Sequence, residues 1–365
     1  MGIRLLATVT VIGLLGFTGG TAFADTTTAT AGIDRKEVQQ ALDKLTSGGG
    51  ALGAQARITD RRDRLTARAG VAELDTTKQV PLDGRFRVGS ITKTFVSTVV
   101  LQLVAEGKVE LDAPVDRYLP GLIDKSITVR QVLQHTSGLF NYTDGIPLNP
   151  EEFEKIRYKH WEPAELVAIA TSKPLDFPPG TKWNYSNTNY IVAGLLVEKI
   201  TGRPYEKAVE RRILEPLRLH DTSVPGDRAA VPGPHAHGYY AVAGKPVDVT
   251  KLNPSVAWAA GEMISTTKDL DTFVSSLASG KLLKKAQLDE MTKTTTVSPD
   301  YGLGLGVQTM PCGTKVWGHG GGIPGYQTQM ATTPDTSKRL QVSLTQSPAP
   351  GNGDGYEQLL NAAFC

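Results

Sequence analysis

The sequence predicts an α/β fold, strictly α+β, in which both ends of the chain build one sheet-and-helix domain and the middle forms an all-helical insertion. Three observations predict it. Strand-like alternation occurs early, at 53–58 and 64–71, and returns over the last quarter of the chain. From 111 to 225 the pattern is instead helical segments separated by loops containing Pro and Gly. Between these regions, 90–106 carries apolar residues on more than one stripe, as a helix buried between layers does. The chain therefore divides into an α/β domain of 25–110 with 226–365 and a helical domain of 111–225.

The elements follow in order. Residues 1–24 have the form of a signal peptide: Arg4 in a short n-region, an apolar run over 5–17, and Ala22-Phe23-Ala24 before a cleavage at Asp25. The expected product is secreted, and no later stretch is apolar enough to span a membrane. A first helix is expected at 36–45, ended by Gly48-Gly49-Gly50. Two strands follow around the polar turn 60–63, then the buried helix, with Gly107 as its stop. In the insertion the clearest helices are 129–135, 163–171, 188–201 and 205–213. After Pro225 the chain reads as loop until a helix at 266–277. Strands are then expected at 302–309, 315–317, 325–332 and 340–345, with a last helix at 356–364.

Composition narrows the function. Net charge is +2 from 39 basic and 37 acidic residues, so nothing implies nucleic acid or an anionic membrane as partner. The two cysteines, Cys312 and Cys365, are expected to form one disulfide in an oxidising exterior.

The chemistry begins at Ser90-Ile91-Thr92-Lys93. At a helix start, residues i and i+3 share a face, so the Lys93 amine can reach the Ser90 hydroxyl. A serine needs a base to become a nucleophile, and a lysine held neutral by its surroundings can serve. The same spacing recurs at Ser265-Thr266-Thr267-Lys268, read as ordinary helix capping. Tyr185-Ser186-Asn187 adds a tyrosine that can move a proton and an amide that can hold a substrate carbonyl, although the same residues after Pro178-Pro179-Gly180 also make a good turn. His319-Gly320-Gly321-Gly322, placed at a strand start, lets a substrate backbone lie close, with a bare N–H able to complete an oxyanion hole. Counted as GxGxxG the segment fails as a nucleotide site, because a strand rather than a helix follows. His235 and His237 lack a third ligand, so no metal is expected. His135 is expected to make a structural hydrogen bond. Trp183, Tyr301, Trp317 and Tyr326 are candidate cleft walls that packing explains equally well.

Together, 86–93, 133–139 and 179–187 with these motifs resemble the beta-lactamase-related serine hydrolases, and most closely the secreted D-alanyl-D-alanine carboxypeptidases of filamentous soil bacteria. The resemblance covers nearly all of 25–365. It implies an antiparallel sheet flanked by helices, no cofactor, and a monomer acting on a small peptide or peptidoglycan-like substrate, with a beta-lactam as candidate ligand. It implies Ser90 as acylated nucleophile, Lys93 as its base, Tyr185 as general acid/base, and Asn187, His319, Gly321 and Gly322 as substrate contacts. The chain departs from the carboxypeptidases where they hold a substrate carboxylate: Gly306, Gly320 and Gly322 stand in place of an arginine and two threonines. The leading expectation is a D,D-peptidase. An esterase, amidase or D-aminopeptidase of the same family is the alternative, and a non-catalytic penicillin- or peptidoglycan-binding module is the second.

Overall fold

The computed structural model describes residues 32–347 and 354–365, so the expected signal peptide lies outside the described residues. Helix α1 (Arg35–Ser47) starts at Asp34, whose carboxylate accepts the Lys36 and Glu37 N–H groups, and ends at Gly48. Strands β1 (Ala51–Asp60) and β2 (Asp63–Gly70) form a hairpin. Strand β3 (Phe86–Arg87) leads through a 3₁₀ turn, Gly89–Ile91, into α2 (Thr92–Ala105). Helices α3 (Val129–Gln134), α4 (Pro150–Ile156), α5 (Pro163–Thr171), α6 (Thr188–Thr201) and α7 (Tyr205–Val209) follow, and α7 runs on through a π turn into α8 (Glu215–Leu217). The hairpin β4 (Tyr239–Val242) and β5 (Lys245–Asp248), the short β6 (Ile264–Ser265), α9 (Thr267–Ala278) and α10 (Lys285–Thr292) come next. The chain closes with β7 (Gly306–Thr309), β8 (Lys315–Ile323), β9 (Tyr326–Thr332), β10 (Lys338–Gln346) and α11 (Asp354–Phe364).

The main sheet has the order β2-β1-β10-β9-β8-β7 and its neighbours are antiparallel. β1 pairs along β10, which is how the two chain ends become one layer. Alternation then sorts the residues: Ala54, Ala56, Val342 and Leu344 pack with Val38 and Leu42 of α1 and Leu359 and Phe364 of α11. The opposite face meets α9, whose Phe273 stacks on Phe95 of α2 with ring centroids 3.6 Å apart. Helix α2 is buried all round; Phe95, Val96, Val99, Val100, Leu101 and Leu103 are each fully enclosed. Each such side chain contributes about 1.5–3 kcal/mol by leaving water, so α2 is a rigid base for whatever its first turn carries.

Several elements differ from the sequence expectation. The strand expected at 315–317 runs on to Ile323, so His319–Gly322 lie in its second half rather than at a strand start. Glycine carries no hydropathy signal, and β8 is defined by its pairing with β9 through Trp317–Ile323. Expected strand 302–309 shrinks to Gly306–Thr309, because Gly304 turns with φ +79° and its carbonyl accepts the Thr94 hydroxyl. The region after Pro225, read as loop, contains the β4–β5 hairpin, closed by Ala243 and Gly244 at positive φ. The second Ser-x-x-Lys is capping: Thr266 accepts the Asp269 N–H at the start of α9.

Cys312 and Cys365 form a disulfide with Cα atoms 5.8 Å apart, tying the end of α11 beside the β7–β8 turn. It closes a loop spanning 53 residues. By chain entropy this is worth up to about 4 kcal/mol. A Cys312→Ser, Cys365→Ser double variant is therefore expected to unfold at a clearly lower urea midpoint. An unchanged midpoint would mean that the bridge adds nothing to α11 docking.

Candidate active site

The 3₁₀ turn that leads into α2 and the edge of β8 meet at Ser90. Gly89 takes φ +53° to bring β3 into the turn, and a Cβ there would stand 2.7 Å from Gly322 N and 2.8 Å from its carbonyl oxygen. Only glycine permits both the backbone turn and that approach. Gly321 is similarly confined: a Cβ would sit 2.0 Å from the Val88 carbonyl oxygen, so its Cα face is closed and only its main chain can meet a substrate. Gly320 points to the other face, beside Gln329 and Tyr356.

Lys93 is wholly buried, and its amine makes three contacts: Ser90 Oγ at 3.0 Å, Asn187 Oδ1 at 2.8 Å and the Ala260 carbonyl at 2.7 Å. No carboxylate among the described residues pairs with it, and burial pulls its pKa well below the usual lysine range. A neutral amine has two N–H bonds and one lone pair, which matches this set. With the amine neutral, the two carbonyl oxygens take its N–H bonds and its lone pair is left to accept the Ser90 proton. Asn187 is held in the required orientation because its backbone N–H and Nδ2 both donate to Asn141 Oδ1, at 2.9 and 3.3 Å.

Tyr185 lies across this pair. Lys93 Nζ is 4.9 Å from its ring centroid. Its hydroxyl is buried without a completed hydrogen bond. Burial pushes the phenol pKa up, offset in part by the Ser90 side chain, so it is protonated and can act as a donor. His319 Nδ1 lies 2.5 Å from the Gly320 carbonyl, so it carries the proton, and Tyr301 OH donates to Nε2 at 2.9 Å. Burial, with Lys93 nearby, drives His319 down to about 3, so it is a neutral group at any ordinary pH.

The structure thus brings Ser90, Lys93, Tyr185, Asn187, His319 and the Gly321–Gly322 main chain to one place. Trp183, 40% exposed, and Tyr301 stand 6.0 Å apart as walls, whereas Tyr326 is packed and donates to the Ala236 carbonyl. Sequence reasoning missed Asn141 and Ala260. Ala260 acts only through a backbone carbonyl, which leaves no trace in residue identity, and Asn141 belongs to no recognisable motif.

Behind Ala260, Glu262 is fully buried and accepts the Tyr205 hydroxyl. Burial raises its pKa to about 8, with Glu206 and Asp227 adding repulsion. A raised carboxyl pKa favours folding least where the unfolded chain has already ionised. Between about pH 4.5 and pH 8 the contribution of Glu262 to stability therefore falls as pH rises, by up to about 1.4 kcal/mol per pH unit. Glu262→Gln is expected to flatten this slope in urea unfolding across that window. Parallel slopes in the two proteins would show that Glu262 ionises normally.

Comparison with known proteins gives a consistent setting. The family model described as Beta-lactamase matches residues 38–363. A D-stereospecific amidohydrolase from Streptomyces sp. superposes with a TM-score of 0.84 at 45% identity, covering 91% of this chain and 99% of that one. A D-amino acid amidase from Ochrobactrum anthropi SV3, solved with L-phenylalanine amide, superposes at TM-score 0.77 and 28% identity, covering 90% and 97%. Penicillin-binding protein 4* of Bacillus subtilis is 28% identical over 288 residues, covering 74% of this chain and 63% of its own length. The chain spans less than two thirds of that relative.

Proposed function

The chain belongs to the beta-lactamase family of serine hydrolases, and on that footing we propose that it is an amidohydrolase for D-amino-acid amides and peptides, working through an ester on Ser90. The observation that carries the chemistry is the Lys93 amine, buried between two carbonyl acceptors and the Ser90 hydroxyl. Ser90 Oγ adds to the amide carbonyl as its proton passes to Lys93. The Ser90 and Gly322 N–H groups receive the oxyanion, and Tyr185 OH gives a proton to the departing amine. Water then cleaves the ester by the reverse proton path, returning the acid and free Ser90.

Substrate choice follows from what the site omits. The carboxypeptidases it resembles grip a terminal carboxylate, whereas Gly306, Gly320 and Gly322 offer neither cation nor hydroxyl here, and His319 is neutral. A neutral leaving group, such as ammonia or a longer peptide amine, suits this cleft better than a single D-amino acid with a free carboxylate. The likeness to the Streptomyces D-stereospecific amidohydrolase supports the same reading. Export belongs to the proposal too: residues 1–24 have leader character, and the Cys312–Cys365 bridge suits an oxidising destination. The test compares kcat/KM for D- and L-phenylalanine amide and for D-Ala-D-Ala with a free or amidated terminus. D-selectivity with the amidated peptide preferred is expected. Preference for the free carboxylate would return the chain to the D,D-carboxypeptidases.

A further inference from the structure

His135 lies outside the set that touches Ser90, yet it holds the Tyr185 loop from both sides. It caps the end of α3 in the left-handed region, φ 63°, which turns its side chain and carbonyl toward residues 184–189. Its carbonyl accepts the Asn184 N–H at 3.0 Å. Its Nδ1 accepts the Ser186 N–H at 3.2 Å and the Asn189 Nδ2 at 3.1 Å. The Asn189 amide cannot turn round, because the Ser137 hydroxyl donates to its Oδ1 at 2.6 Å. Two donors converging on Nδ1 place the ring proton on Nε2, which has no hydrogen-bond partner among the described residues. The imidazole face lies against the Tyr185 ring, centroids 4.2 Å apart and tilted by 30°.

We propose that His135 is the positioning residue for Tyr185: its carbonyl and Nδ1 pin the residues on either side, and its ring supports the phenol from below. The inference rests on the acyl-enzyme reading of Ser90 and assigns His135 no contact with substrate. Protonation of Nδ1 would release the Ser186 and Asn189 anchors, so the role requires a neutral ring. Burial favours that state.

The test exploits acceptor position. Asparagine tolerates the left-handed conformation and places Oδ1 near the place of Nδ1, whereas glutamine puts its acceptor farther out. Single-turnover acylation is followed with two donors, D-phenylalanine p-nitroanilide and benzylpenicillin, alongside thermal unfolding. His135→Asn is expected to acylate within about 10-fold of wild type, and His135→Gln to lose about 100-fold in kcat with KM little changed, the cost of misplacing a catalytic group by about 1 Å. If His135→Gln does not fold, Asn189→Ala, which removes one of the two donors to Nδ1, carries the test with a smaller loss in the same direction. Equal rates in folded Asn and Gln variants, or an unchanged rate in Asn189→Ala, would overturn the inference. Failure of wild type on the anilide alone would instead remove the amidohydrolase reading. The Asn-against-Gln contrast would then be read from benzylpenicillin.

Discussion

Replacing Ser90 with alanine is expected to abolish covalent labelling and to lower turnover by about 10⁴-fold or more, because it removes the hydroxyl in contact with the Lys93 base. The hydroxyl stands where the turn before α2 passes Gly322 of β8, with the Lys93 amine 3.0 Å from its oxygen. Ser90 is 6% exposed, so the change removes one oxygen from a closed site and leaves the fold intact. Ser90→Ala should therefore unfold at the wild-type temperature while failing in steady-state assay with D-phenylalanine amide. Turnover near the wild-type rate would mean that water, and not the Ser90 hydroxyl, attacks the substrate carbonyl.

Lys93→Ala is the second large effect, with an expected loss of several orders of magnitude in kcat. Two losses combine in it. Ser90 no longer has a base in contact, and the Asn187 and Ala260 oxygens lose their shared donor. Leaving two buried acceptors unpaired costs about 1–3 kcal/mol each, so Lys93→Ala is also expected to be less stable. The pH profile separates base from scaffold. Lys93 serves only when neutral, and burial lowers its pKa. Wild-type acylation should fall as acid protonates the amine, with an apparent pKa well below the usual lysine range. A rate that climbed only toward the pKa of an ordinary lysine would contradict the neutral-amine assignment.

Much of this architecture was legible because it rests on periodicity and on side-chain identity. The buried α2 showed itself as apolar residues on every side, and the two-ended sheet as alternation at 53–71 and after 302. Ser90 and Lys93 were legible through their spacing on one helical turn. The remainder was hidden for physical reasons. The extent of β8 depends on hydrogen bonds to β7 and β9, and a run of three glycines has no hydropathy by which to announce a strand. The Ala260 carbonyl is a main-chain group on a loop that any residue could supply. Asn141 became visible only when folding laid its side chain against Asn187. His135 was expected to hold a structural hydrogen bond, but its anchoring of both neighbours of Tyr185 needed the αL turn at the end of α3.

The central claim is a covalent ester on Ser90, and rapid-quench mass spectrometry tests it most directly. The protein is mixed with D-phenylalanine p-nitroanilide, quenched in acid within the first turnover, digested and sequenced, with Ser90→Ala treated in parallel. The account predicts a D-phenylalanyl mass increment on the peptide containing Ser90, appearing as p-nitroaniline is released and absent from the variant. An increment on any other residue, or p-nitroaniline released at the wild-type rate by Ser90→Ala, would contradict it.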